Sequence, residues 1–245
     1  MNFKKTILSA LATLFLVSPV LAELVFPSLS YRTGAYGPNG IPFADGYEDY
    51  FTLMNERDGG IGGEKVRVVK CETAYNTEKG VECYESTKGE GSLLYQPLST
   101  GITYQLIPKA SADNIPVLSS GYGRTSAKNG KIFKWIFNFP GTYWDAASIA
   151  TKHAMDMSGG SLDGKKIALV YHNSGYGKEP IRTLEVLSKK HNFELMLLPV
   201  DHPGQEQKSQ WLQIRRERPD YIFTVSYTHL RAHETKANLV CRLLL

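Results

Sequence analysis

The chain has 245 residues, 42% of them hydrophobic, and carries 28 lysines and arginines against 24 aspartates and glutamates, a formal net charge of +4. The surplus sits at the two ends: from Glu23 to Thr224 the basic and acidic side chains number 23 each. A body of zero net charge has no electrostatic footprint for nucleic acid or an acidic membrane surface, and both partner classes are excluded on that ground.

The first 22 residues, "MNFKKTILSALATLFLVSPVLA", read as a secretory signal peptide. Lys4 and Lys5 open it, the apolar run is too short and wrongly flanked for a spanning helix, and Val20 and Ala22 precede the cleavage point. No cysteine follows directly, so no lipid anchor is expected there. The remaining chain is expected in the periplasm, without membrane insertion.

Past Glu23, "ELVFPSLS" predicts a strand, "YRTGAYGPNG" a loop, and the stretch from about Ile41 a helix with Phe43, Tyr47, Tyr50, Phe51 and Met54 on one face. "RDGGIGG" stops that helix with glycines suited to a left-handed cap. "EKVRVVK" follows as a strand, "TEKGVECYESTK" as a helix, "SLLYQPL" as a third strand, "GITYQLIPKASAD" as a helix and "IPVLSS" as a fourth strand. The pattern pauses over "GYGRTSAKNGKIFKWIFNFPGTY". It resumes with a helix bearing Trp144, Ala147, Ala150, Ala154 and Met157 on one face. Then come the strand "KKIALVY", a loop and helix in "HNSGYGKEPIRTLEVLSKKH", the strand "FELMLLPV", the helix "QEQKSQWLQIRRER" and the start of a strand, "DYIFT". Alternating strands and helices imply crossovers and parallel sheets covered on both faces. The expected fold is α/β: two doubly wound lobes joined by a hinge, lobe one over 23–138 and a shortened lobe two over 139–224.

The final stretch, residues 225–245, fits neither the helical nor the strand period. Back-translated, "VSYTHLRAHE" and "LVCRLLL" fit a transposon-type sequencing-library adapter in one reading frame, with "TKAN" filling the variable index between them. It is therefore read as a non-native tail joined to a truncated gene at Thr224 and set aside from fold reasoning. A metal-binding tail is the rival, but no CxxC pair supports it. Setting Cys241 aside leaves Cys71 and Cys83, an even pair in an exported chain and hence an expected disulfide. Two free buried thiols are the alternative.

Candidate site residues come from the loops at strand ends, where α/β sheets bind ligands. These loops are "GAYGPNG", "LSTGIT", "SSGYGRTS" and "HNSGYGKE", and three of them contain Tyr-Gly: Tyr36-Gly37, Tyr122-Gly123 and Tyr176-Gly177. Glycine allows close backbone approach to a ligand, and tyrosine adds an apolar face with a hydroxyl tip. Ser99 and Thr100 stand where a strand passes into a helix, so their hydroxyls and the free amides of the first turn could receive a carboxylate. Either residue could equally serve as an ordinary N-cap, and both roles can coexist. Catalysis finds no support: His153, His172, His191 and His202 form no HExxH, no GxSxG elbow occurs, and "SGYGKE" lacks the GK[ST] of a phosphate loop. No metal or other cofactor is expected.

From Glu23 to Thr224 the chain resembles the type I periplasmic substrate-binding proteins of ABC transporters, specifically the branched-chain amino acid-binding family. The segments "GAYGPNGIPFADGYEDYFTLMNERDGGIGGEKVRVV", "PLSTGIT", "IPVLSSGYG" and "KIALVYHNSGYGKE" carry the likeness together. The resemblance implies two lobes that close over a small solute and pass it to a membrane permease driven by an ATPase. Thr100 corresponds to the family's carboxylate-binding serine, and Gly121 and Gly123 to the next ligand loop, with glycine where the family usually has threonine. Tyr176 corresponds to the lobe-two tyrosine that contacts ligand. The acidic residue that receives an ammonium group is expected further along, past Thr224. A ligand-binding sensor domain on the same fold is the alternative, and a secreted hydrolase a more distant one.

Overall fold

The computed structural model describes residues 23–120 and 123–226. The expected signal peptide (1–22), residues 227–245 of the expected tail, and Gly121 and Tyr122 lie outside the described residues, while Val225 and Ser226 of that tail are described. The chain runs β1 (Leu24–Ser30), α1 (Gly37–Arg57), β2 (Val66–Glu72), α2 (Thr77–Thr87), a 3-10 turn (Lys88–Glu90), α3 (Thr100–Asp113), β3 (Val117–Ser120) and a second 3-10 turn (Thr125–Lys128). It continues as β4 (Ile136–Phe139), α4 (Tyr143–Met157), β5 (Lys166–His172), the one-turn α5 (Gly175–Lys178), α6 (Ile181–His191), β6 (Glu194–Val200), α7 (Lys208–Glu217) and β7 (Tyr221–Val225). Among the described residues no helix is long and apolar enough to cross a membrane.

Every strand pair is parallel. In lobe two the order is β6-β5-β7, with the first strand central. Its alternation shows why both faces are covered. Ile167, Leu169 and Tyr171 of β5 join a core with α4 and α6, whereas Ala168 and Val170 face Trp211 and Ile214 of α7. Lobe one is built alike. Leu29 of β1 packs with Tyr84, Ile102 and Leu106 of α2 and α3. On the other face the Phe26 ring stacks on Phe51 of α1 at 4.9 Å.

The expected third strand, "SLLYQPL", is not a continuous strand. It occupies the centre of the lobe-one sheet but touches its neighbours only through single parallel bridges, Val25 to Ser92 and Tyr95 to Val117. The Leu93 amide donates to the Val25 carbonyl at 3.0 Å, and the Leu98 amide to Leu29 at 3.3 Å. Pro97 between them has no amide to give, so the ladder breaks there. The resulting order, β2-β1-(92–98)-β3-β4, again sets the first strand beside the third.

Three further details depart from the sequence reading. "IFNF" forms β4, paired with β3 in register Val117 to Ile136 through Ser120 to Phe139, so the first sheet extends through residue 139. The helix α1 starts at Gly37, with proline in its first turn, and buries Gly37, Gly40 and Ala44. That small-residue stripe is invisible to a hydrophobic period, and Tyr50, expected on the buried face, is 57% exposed. On α4 the buried set is Tyr143, Ala147, Ala150, Thr151 and Ala154, while Met157 at the last turn is 51% exposed. At the chain's far side β7 continues through Val225, opposite Tyr171.

Cys71 of β2 and Cys83 of α2 form a disulfide, with Cα atoms 5.8 Å apart and a sequence separation of 12. It ties the sheet edge to the helix above it. In the chain-entropy account a loop of this size contributes about 3 kcal/mol. Intact-mass measurement before and after reduction should show a gain of two hydrogens, and Cys71→Ser with Cys83→Ser should lower stability by about that amount. Two thiols that alkylate freely in unreduced, denatured protein would contradict the bridge.

Candidate functional site

In each sheet the first strand lies between the second and the third, the order that in α/β sheets opens a crevice at the carboxyl ends. The two crevices face each other. A cavity of about 240 Å³ lies between them, lined from lobe one by Tyr31, Tyr75, Leu98, Ser99, Thr100 and Ser120. From lobe two come Tyr143, Ala146, Ala147, Leu169, Tyr176, Pro180, Leu184, Phe223, Thr224 and Val225.

Ser99 caps α3: its hydroxyl accepts from the Ile102 amide at 3.3 Å. The first amides of a helix have no intrahelical acceptor and carry its positive end. Thr100 sits there, 5% exposed, its hydroxyl 3.4 Å from that of Tyr143 across the crevice. Tyr143 itself opens α4, capped by Thr142, whose hydroxyl accepts from the Asp145 amide at 3.2 Å. Burial drives the Tyr143 phenol well above its ordinary pKa, so it remains a hydrogen-bond donor at any physiological pH. The Tyr176 ring packs against it at 5.7 Å. Gly177 makes this arrangement possible, because a Cβ there would stand 1.9 Å from the His172 carbonyl oxygen.

The lobes also touch directly on both flanks, as the strand order dictates. At the β1 end, the Tyr36 hydroxyl lies 2.7 Å from His172 Nε2, and both residues are 1% exposed. The other ring nitrogen lies 2.8 Å from the Ser174 hydroxyl, so two hydroxyls satisfy the neutral imidazole. Burial, reinforced by His202 and opposed by Asp201, depresses the His172 pKa from 6.5 to about 4. Around this pair Tyr75 lies 4.5 Å from Tyr36 and 5.0 Å from Tyr31 between ring centroids. The backbone holds Ala74 and Tyr75 both in the left-handed region, with φ of 49° and 58°. Non-glycine residues adopt it at a cost of order 1 kcal/mol each. At the β3 end Glu179 of lobe two accepts from the Tyr104 hydroxyl and, at 3.2 Å, from the Thr125 amide.

Comparison with known proteins places this architecture. The family model described as periplasmic binding protein matches residues 24–232. The chain belongs to the periplasmic binding protein family, type I. Solved structures share its fold. One from the Pseudomonas fluorescens group, described as an ABC transporter permease, is 37% identical, with 86% of this chain and 54% of that one covered at a TM-score of 0.70. A branched chain amino acid ABC transporter protein from Thermus thermophilus with bound valine is 17% identical, with coverages of 90% and 58% and a TM-score of 0.79. A solute binding protein from R. palustris in complex with benzoate is 20% identical, with coverages of 83% and 55% and a TM-score of 0.70. The chain thus spans little more than half the length of these solved proteins. No curated protein matches the sequence. Periplasmic binding proteins of ABC transporters bind solutes and are not enzymes.

Of the residues expected at the site of this periplasmic binding protein, Ser99, Thr100 and Tyr176 come together on the cavity wall. Tyr36 stands behind the wall, in the lobe contact with His172. Gly123, φ +32°, packs against Ser119, whose hydroxyl a Cβ would meet at 2.0 Å. Gly121 and Tyr122 lie outside the described residues. Sequence reasoning missed Tyr143, Tyr31, Tyr75 and the Tyr104–Glu179 contact. For Tyr143 a signal existed: Thr142 followed by Asp145 marks a helix start just past the crossing between lobes.

Because its folded pKa is depressed, His172 keeps the native state from taking up a proton that the unfolded chain accepts. The stability this contributes is complete above about pH 6.5 and is lost as pH falls toward about 4. Carboxylates held low, Glu48 and Glu85 by their basic partners and Asp220 chiefly by the Lys166 amide, lose their contributions only lower still. The thermal midpoint should therefore fall between pH 6.5 and 4.5, and His172→Gln should flatten that slope. Equal slopes in parent and variant would contradict the assignment.

Proposed function

We propose that this chain captures a small carboxylate solute outside the cytoplasm and delivers it to the permease of an ABC transporter powered by its ATPase. Export by the first 22 residues is part of the same reading. One observation carries it: a cavity is walled by strand-end loops of both lobes, with the Ser99 and Thr100 hydroxyls and a helix N-terminus on one side and the Tyr143 hydroxyl among largely apolar side chains on the other. At about 240 Å³ it lies just under the range of about 300–1,000 Å³ usual for small-molecule pockets, which favours a compact solute over a nucleotide or peptide. The valine and benzoate held by two proteins of this fold are carboxylates of suitable size, and branched-chain amino acids, their amides and small aromatic acids form the class to screen.

In this reading the α3 amides with Ser99 and Thr100 receive the carboxylate first. Tyr143 donates from the facing lobe, and Tyr176 closes over the ligand. A hydrogen bond to a charged group is worth about 1.5–3 kcal/mol, so Thr100→Ala should weaken binding about tenfold to a hundredfold. Tyr176→Ala should instead raise the off-rate while leaving encounter with lobe one largely intact. Titration calorimetry and stopped-flow fluorescence with valine, leucine, benzoate and benzamide separate these effects. Acids that bind while benzamide does not support the reading; uniform binding to both variants and the parent contradicts it.

A further inference from the structure

Tyr75 reaches the cavity from a turn that its own residue types disfavour. Ala74 and Tyr75 are consecutive and both have positive φ, 49° and 58°, a conformation ordinarily left to glycine. Such a pair persists only where its surroundings fix it. The Glu72 carboxylate accepts from the Ala74 amide at 2.7 Å and the Thr33 hydroxyl at 3.1 Å through one oxygen, and from the Arg32 amide at 2.8 Å through the other. Thr73, fully buried, donates its amide and its hydroxyl to the Ser30 carbonyl at 2.8 and 2.9 Å. Asn76 closes the turn by capping α2, its side chain accepting from the Lys79 amide at 2.9 Å. From this turn the Tyr75 ring lies 4.5 Å from Tyr36 and 6.4 Å from His172 between centroids, so it meets lobe two as well as the cavity.

A covalent constraint spans the same turn. Among the described residues β2 pairs with β1 alone and has no strand on its other side. The helix after the turn is held more firmly: Gly80 lets α2 lie directly on α3, where a Cβ would stand 2.4 Å from Ile102 Cδ1. The Cys71–Cys83 bridge joins the edge strand to this helix and encloses the turn between them. We propose that Glu72 and the Cys71–Cys83 bridge are positioning groups for capture, holding the 73–76 turn in its left-handed form so that Tyr75 stands at the boundary where lobe two closes. With the bridge opened, Ala74 and Tyr75 relax to ordinary backbone, Tyr75 leaves the boundary, and the closed form loses part of its wall. The effect on binding rests on the solute-capture reading; the ordering of the turn does not.

Dithiothreitol opens the bridge by exchange. One of its thiolates attacks Cys71 Sγ, the partly exposed sulfur, and Cys83 leaves as a thiolate; the second thiol then displaces Cys71. The bridge gains two electrons and two protons, and the reagent closes to a cyclic disulfide. Amide hydrogen exchange reads the result without a ligand. In the reduced protein the amides of 73–76 and, across the boundary, of 172–176 should exchange about tenfold faster, while those of α3 and of 166–170 keep their protection. Cys71→Ser with Cys83→Ser should act as reduction does, and Glu72→Gln should loosen the turn likewise. Adding Ala74→Gly to the double serine variant should restore most of the protection, because glycine takes positive φ without strain. Calorimetry with valine and benzoate should show affinity about tenfold weaker on reduction, with recovery in the Ala74→Gly variant. A bridge that merely stabilises the fold would lower the thermal midpoint, leave lobe-two exchange and affinity unchanged, and gain nothing from Ala74→Gly; that result overturns the proposal. So does exchange at 73–76 that reduction leaves unaltered. If neither probe binds, faster exchange on both sides of the boundary with rescue by Ala74→Gly upholds the positioning role, and the carboxylate reading alone falls. If the double serine variant does not fold, reduction of the folded parent with and without Ala74→Gly makes the same comparison.

Discussion

A parallel sheet must return each strand through a crossover, and when the first strand lies between the second and the third, a doubly wound sheet sends its connection and the third's to opposite faces. The crevice left between them cannot be filled by either helix. Both sheets of this chain have that order, and both crevices open toward each other. Everything at the site follows from this constraint: the unpaired amides of α3 at the lobe-one crevice, the start of α4 facing them, and β5 and β7 ending at the cavity wall.

Among the described residues, polar contacts join the lobes on both flanks of the cavity. Tyr36 meets His172, Thr100 meets Tyr143 at 3.4 Å, and Glu179 reaches the Thr125 amide and the Tyr104 hydroxyl. Hydrogen bonds of this sort contribute about 0.5–1.5 kcal/mol each, with more where a charge takes part. A ligand that contacts both walls shifts the equilibrium between open and closed forms by its differential affinity for the closed form. The buried, neutral His172 ties the same boundary to pH, since charging it disfavours the state in which it is enclosed.

Much of the fold was legible because its signals are local. Strands such as "KIALVY" and helices such as "TEKGVECYEST" carry their periods in consecutive residues, and a cap such as Ser99 marks where a helix begins. What escaped depends on packing that no single segment records. The strand β4 is four residues long and exists because β3 offers it an edge. The stretch around Tyr95 looks like a strand but is held by isolated bridges at Ser92 and Tyr95, ahead of Pro97. At the site, Ser99, Thr100 and Tyr176 were readable as strand-end residues beside glycine. The role of Tyr143 was not, because it depends on how one lobe faces the other. Tyr36 shows the converse: its Tyr-Gly context pointed to ligand, and the folded chain gives it a histidine.

The most direct test of the central claim is diffraction from crystals grown with 4-bromobenzoate, using anomalous scattering to locate the bromine. The account predicts one bromine peak in the cavity between the lobes, on its lobe-two side, with the carboxylate at the start of α3 beside Thr100. A peak outside the crevice, or one with the carboxylate turned toward lobe two, would contradict it.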